Sequence, residues 1–135
     1  MTRRIVSTFA VRVAVAAPLL AAMLYGATAL AHHSIDAIYD TNKRVTVEGV
    51  VTRFQFIHPH PFVRIEVKDP TGKAQLWMLE MDNRGELVEL GFDTDTLKPG
   101  DRIRVTGSRA RTRPRSLYIS SLERPADGFS YQHHQ

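Results

Sequence analysis

Cysteine is absent from the 135 residues. That excludes disulfide staples, a thiolate zinc site, a cysteine nucleophile and a lipid-modified cysteine. Net charge is scarce too, once the first 31 residues are set apart. Lys+Arg 18 against Asp+Glu 14 gives +4 overall, but Arg3, Arg4 and Arg12 fall in that stretch and no acid does, leaving 15 bases against 14 acids. So even a balance argues against a general attraction to nucleic acid or anionic membrane, and nucleic acid is not expected as a partner. Paired carboxylates, a serine–base arrangement and a phosphate-cradling glycine loop are also missing from the sequence pattern, so no enzyme activity is expected. The 104 residues that remain suffice for one small domain and not for two.

What is present begins with an export signal. Thr2-Arg3-Arg4 supplies a positive start, residues 13–25 are almost unbroken apolar chain, and Ala29-Leu30-Ala31 has the small residues a signal peptidase reads. Cleavage after Ala31 makes His32 the new N-terminus and implies a periplasmic protein with no stable membrane anchor. An uncleaved anchor is the other reading, since residues 13–31 just span a tilted bilayer.

The rest of the chain reads as strands. Residues 32–43 form an N-terminal arm. Residues 44–57 alternate, with Val45 and Val47 on one face and Val50, Phe54 and Phe56 on the other parity, so a bulge or glycine bend is expected at Gly49-Val50. His58-Pro59-His60-Pro61 then interrupts the ladder. Val63, Ile65 and Val67 alternate with Arg64, Glu66 and Lys68, and Asp69-Pro70-Thr71-Gly72 is a tight turn into a strand over residues 74–81. Asn83 and Glu86 resemble a capping box for a short helix, with Leu87 and Leu90 on one face and Gly91 to stop it. Lys98-Pro99-Gly100-Asp101 turns into a strand carrying Ile103 and Val105; a last strand carries Leu117 and Ile119. The expected fold is mainly β: a small five-stranded OB-like Greek-key barrel over residues 44–123, with one short helix between strands 3 and 4 and a flexible tail over residues 124–135.

Several motifs resemble a known family. His32-His33-Ser34 directly after the signal, Tyr39-Asp40, the run from Val45 to Val51, Pro59-His60, Trp77 with Glu80, and Leu97-Lys98-Pro99-Gly100-Asp101 are similar to a family of small exported proteobacterial proteins of unknown function. The resemblance covers residues 32–122. The family usually has Asn before its Pro-His; here that residue is His58. The resemblance implies export and this fold, and it brings no activity with it.

The histidines carry the sharpest chemistry. An exposed N-terminal His32 offers its amine and Nδ1 to one ion, with His33 or His60 completing a nitrogen site and His58 as an optional fourth ligand. Copper stands highest among divalent ions for such ligands. Against this stands a solvated terminus whose histidines do nothing, and a proline-stiffened loop in which His58 and His60 are surface residues. His133-His134 reads as solvated tail. Arg109, Arg111, Arg113 and Arg115 alternate between the last two strands, beside the usual ligand face of such barrels. They suit an anionic ligand, or they form a solvated basic loop. Trp77 reads as core, and Glu80 as an exposed carboxylate or an outer partner to a histidine. The expectation is therefore a periplasmic, non-catalytic metal-binding module with copper as its ion. The alternative is an accessory OB-type module that holds an anionic ligand or a periplasmic partner protein through the barrel face and the Arg109–Arg115 loop.

Overall fold

The computed structural model describes residues 35–133. Residues 35–38 are helical, and residues 37–133 belong to one unit of their own. In that unit the β-branched alternation of the sequence becomes six strands and a helix: β1 (Tyr39–Gln55), β2 (Phe62–Lys68), β3 (Ala74–Glu80), α1 (Arg84–Glu89), β4 (Arg102–Ala110), β5 (Ser116–Arg124) and β6 (Phe129–Gln132). The sheet order is β3-β2-β1-β4-β5-β6, and a parallel pairing of β3 with β5 closes it into a barrel. Closure removes most of the free edge that a small sheet would otherwise expose. The architecture is the OB-like Greek-key barrel that the pattern of elements suggests.

Period two sorts the strands as expected: Val63 and Ile65 of β2, Leu79 of β3, and Ile103 and Val105 of β4 are fully buried. β1 is long enough to pair with β4 along its first part and with β2 along its last. Its bend falls later than Gly49-Val50. The register shifts between Val51 and Arg53, so Val47 and Val51 face the core on one side of the bulge and Phe54 and Phe56 pack against it on the other. Gly49 has a different task. A Cβ there would lie 2.5 Å from the Glu66 carbonyl oxygen, so only glycine lets β2 cross so close.

The turns follow their residues. Asp69 Oδ1 accepts bonds from the Thr71 and Lys73 amides, and Gly72 sits at φ +83. Pro99 and Gly100 (φ +98) take the central positions of the turn into β4. Asn83 caps α1 by accepting from the Gly85 amide at 2.7 Å. The helix ends in a Schellman motif: Gly91 at φ +88 donates to the Val88 carbonyl, and Phe92 donates to the Leu87 carbonyl. Leu87 and Phe92, paired by that motif, are both core residues.

Two boundaries differ from the sequence reading. The arm ends earlier than residue 43, because β1 starts at Tyr39 and pairs with Ala110. Nor do residues 124–133 form a tail. Asp127 and Gly128 turn the chain into β6, a sixth strand, which pairs with β5. Arg124 clamps the turn, bonding Asp127, Asp101 at 2.8 Å and the Thr96 carbonyl at 2.7 Å while lying over the Phe129 ring. Phe129 and Tyr131 meet Phe92 edge-on at 5.5 and 5.4 Å. These ring contacts bury what composition alone marks as polar chain.

Candidate functional site

The loop joining β4 to β5, residues 111–115, holds arginines at 111, 113 and 115, and Arg109 lies just before it in β4. Its path is set from both ends. The Arg111 amide donates to the Ile38 carbonyl at 2.9 Å, and the Met78 amide donates to the Arg115 carbonyl, also at 2.9 Å, which ties the loop to β3. Arg115 stands at φ 54, the left-handed region in which glycine or asparagine is the usual occupant.

Two hollows flank the loop, and Arg113 and Pro114 line both. The first, about 420 Å³, is cationic: among the described residues, Lys43, Arg109, Arg111 and Arg113 line it with one carboxylate, Asp40. Asp40 already engages Lys43 at 3.6 Å and Arg111 at 3.7 Å. The second, about 330 Å³, opens onto the outer face of β2 and β3, where Leu76, Met78 and Pro114 provide an aliphatic floor among Arg64, Arg113 and Arg115. Leu76 is 63% exposed. Among the described residues, Arg64, Arg109, Arg113 and Arg115 take part in no ion pair. By contrast, Arg102 and Arg104 on the neighbouring stretch of β4 both reach Glu48 at 3.5 Å.

The histidines fare differently. His32, His33 and His134 lie outside the described residues. His58 and His60 flank a cis peptide at Pro59 and are each engaged singly. His58 Nε2 is 3.1 Å from Arg84 Nη1, so it accepts from a guanidinium that itself lies over the Phe56 ring. A metal at that nitrogen would have to displace a cation and then sit beside it. His60 Nδ1 is 3.1 Å from the Met81 carbonyl, to which it donates as the Nδ1–H tautomer. Among the described residues, no group of three or more His, Cys, Asp or Glu side chains is placed to hold a metal ion.

One cluster escaped the sequence reading. Tyr39 donates to Glu80 Oε2 at 2.5 Å, and Tyr118 donates to Asp82 Oδ1 at 3.2 Å. His133, expected in solvent, instead bonds Asp82 through Nδ1 and meets the Tyr118 ring edge-on. Burial, joined by Glu80, pushes the Tyr39 hydroxyl's pKa well above its ordinary value, while a hydrogen bond with Ser116 and the Arg113 charge pull the other way. Burial and the Asp82 charge do the same to Tyr118. Glu80 is thus a partner to a tyrosine rather than a free carboxylate or a histidine's second partner. Trp77 packs half-buried against the core, as its parity suggests, with one edge in the second hollow.

A model described as a family of unknown function, DUF6152, matches residues 20–116. No curated protein matches. Among solved structures, the mitochondrial single-stranded DNA binding protein Rim1 of S. cerevisiae is similar over 68% of this chain and 96% of its own, at 14% identity and TM-score 0.47. The N-terminal domain of PriB from Thermoanaerobacter tencongensis is similar over 61% and 94%, at 21% identity and TM-score 0.44. A small single-stranded DNA-binding protein from Streptomyces coelicolor is similar over 64% and 97%, at 16% identity and TM-score 0.43. The likeness is one of fold. The expectation that nucleic acid is no partner does not stand: it rested on a near-zero sum of charges, and solved structures similar to this chain are named as single-stranded DNA binding proteins.

Proposed function

The chain belongs to DUF6152, a family of unknown function, and from its site geometry we propose that the barrel is a non-catalytic binding module for an anionic ligand, gripped by the loop between β4 and β5. One observation carries this. Arg64, Arg109, Arg113 and Arg115 line hollows on the two sides of Pro114 and have no acidic partner among the described residues. Arg102 and Arg104 share Glu48, whereas these four guanidinium groups gather at the two hollows beside one loop. An unpaired guanidinium presents planar donors suited to phosphate, sulfate or carboxylate. The place of action in this reading is the periplasm, after removal of residues 1–31.

The test uses protein beginning at His32 and fluorescently labelled dextran sulfate as the probe. Anisotropy should report binding that weakens steeply as salt is raised, because each contact is a screened ion pair. Exchanging Arg113 and Arg115 together for Ala should abolish most of the binding, whereas exchanging Arg102 and Arg104 should change it little. Equal losses in the two double variants would mean diffuse charge rather than a site, and would overturn the proposal.

A further inference from the structure

Resting on that reading, we propose that the hollow between β3 and the loop takes a single anionic amphiphile, an alkyl chain bearing a phosphate, sulfate or carboxylate head. The two halves of the ligand correspond to two kinds of lining. Leu76, Met78 and Pro114 form the floor, and Arg64, Arg113 and Arg115 stand around it. The floor is built by strand parity: Leu76 and Met78 both point outward from β3, opposite Glu66 and Arg64 of β2. Outward positions of a sheet that only meets water are ordinarily polar, and here a leucine is left 63% exposed beside three unpaired guanidinium groups. A volume of about 330 Å³ is that of a small-molecule site rather than of a protein interface.

An oligonucleotide would ask this face for rings on which bases stack. The two outward residues of β3 in the hollow are aliphatic, and the ring beside them, Trp77, points into the barrel against the core. An alkyl chain suits Leu76 and Met78 better, because it needs dry contact and no stacking geometry. Arginine stems also offer methylene surface to an alkyl chain while the guanidinium group stays in water. Arg115 completes the arrangement. Its backbone is pinned to Met78 through the 2.9 Å bond, so its unusual φ 54 conformation is held at the edge of the floor.

Trp77 is the sole tryptophan of the chain and lines the hollow, which makes its emission a local reporter. Dodecyl phosphate, ethyl phosphate and a twelve-residue oligothymidylate are titrated into protein beginning at His32, with dodecyl phosphate taken from well below its micelle concentration to above it. Dodecyl phosphate should bind at least about tenfold more tightly than ethyl phosphate, since only its chain reaches the floor, and should shift the Trp77 emission. Leu76→Gln, at an exposed position where folding is not at stake, should erase that preference and leave ethyl phosphate unaffected. Arg113→Gln should weaken both. Equal binding of the two phosphates would overturn the amphiphile while leaving the anionic site standing. So would tighter binding of the oligothymidylate that depends on Arg113, or binding of dodecyl phosphate only as micelles. If none of the three binds and dextran sulfate also fails, the anionic site itself falls.

Discussion

Replacing Arg115 with glycine separates what the loop does for folding from what it does for a ligand. At φ 54 an L-residue with a side chain pays about 1–2 kcal/mol relative to the right-handed region. Glycine removes that strain but gives the unfolded chain about 0.5–1 kcal/mol of extra freedom. The carbonyl that accepts from Met78 is untouched, and Arg115 is exposed with no ion pair among the described residues. The net effect is therefore a gain of about 0–1.5 kcal/mol, or a melting temperature unchanged to about 9 °C higher for a domain this size. Binding should move the opposite way. A lost charge-assisted hydrogen bond is worth about 1.5–3 kcal/mol, so anion affinity should fall about ten- to a hundredfold. Thermal unfolding followed by circular dichroism and dextran sulfate anisotropy on one preparation measure both. A variant that melts several degrees lower would show that the side chain supports the fold. One that binds undiminished would show that the strained arginine has no part in the site.

Gly107→Ala should destabilise by about 2–4 kcal/mol in chemical denaturation, because its Cβ would meet the Tyr118 carbonyl oxygen at 2.3 Å and β4 would have to part from β5 at a register shift; a loss under about 0.5 kcal/mol would contradict the close approach. Tyr39, Tyr118 and Tyr131 all have pKa values raised above 10.0, burial being the first cause in each. Their stabilising contribution is complete below pH 10.0 and is lost as pH rises past it, with a slope of up to about 1.4 kcal/mol per pH unit for each tyrosine. In protein beginning at His32, tyrosinate absorbance should therefore appear together with unfolding; a gradual rise near the ordinary tyrosine value in folded protein would refute this. A copper chelate at His32 and His33 predicts that one residue added before His32 greatly weakens copper binding in electron paramagnetic resonance titrations, whereas His58→Ala changes nothing, since Arg84 holds that imidazole's Nε2. Copper affinity that survives the added residue would dismiss the terminal site.

Legibility in the sequence followed the range of the interactions. The β2–β3 hairpin, the capped helix and the Pro99-Gly100 turn each rest on residues within a few positions of one another, so alternation and turn chemistry reveal them. β6 carried a signal as well: Asp127-Gly128 followed by Phe129 and Tyr131 at period two is a hairpin pattern. Polar composition hid it, because what holds the strand is Arg124 bonded to Asp101 and two rings packed on Phe92, all distant in the chain. The bend in β1 was readable as a phase change and misplaced by a few residues, since the glycine marks a close crossing and the bulge is elsewhere. The arginines of the site could be read because four fall within seven residues. Arg64, Leu76 and Met78, which give the second hollow its floor and rim, join them only through the β2–β3 pairing and the β3–β5 closure. The cluster of Tyr39, Glu80, Asp82, Tyr118 and His133 draws on four strands or their ends, and no local pattern announces it.

Net charge sums over a whole domain and does not describe the local field at any one hollow. Fifteen bases against fourteen acids after residue 31 describe the sum and not the field. Around the loop, Asp40 is the acid that lines a hollow with Lys43, Arg109, Arg111 and Arg113 among the described residues, while Asp82, Glu86 and Glu89 gather at a separate hollow beside α1 and β6. Ions screen interactions beyond about 8 Å at physiological salt, so a ligand at the loop responds mainly to the charges that line its own hollow. Neutralising Asp40 should therefore strengthen anion binding at the loop, whereas neutralising Glu86 and Glu89 should leave it nearly unchanged, although the second substitution alters net charge more. The opposite order would mean that the barrel attracts anions through its overall charge, and the unpaired arginines would lose their claim to a site.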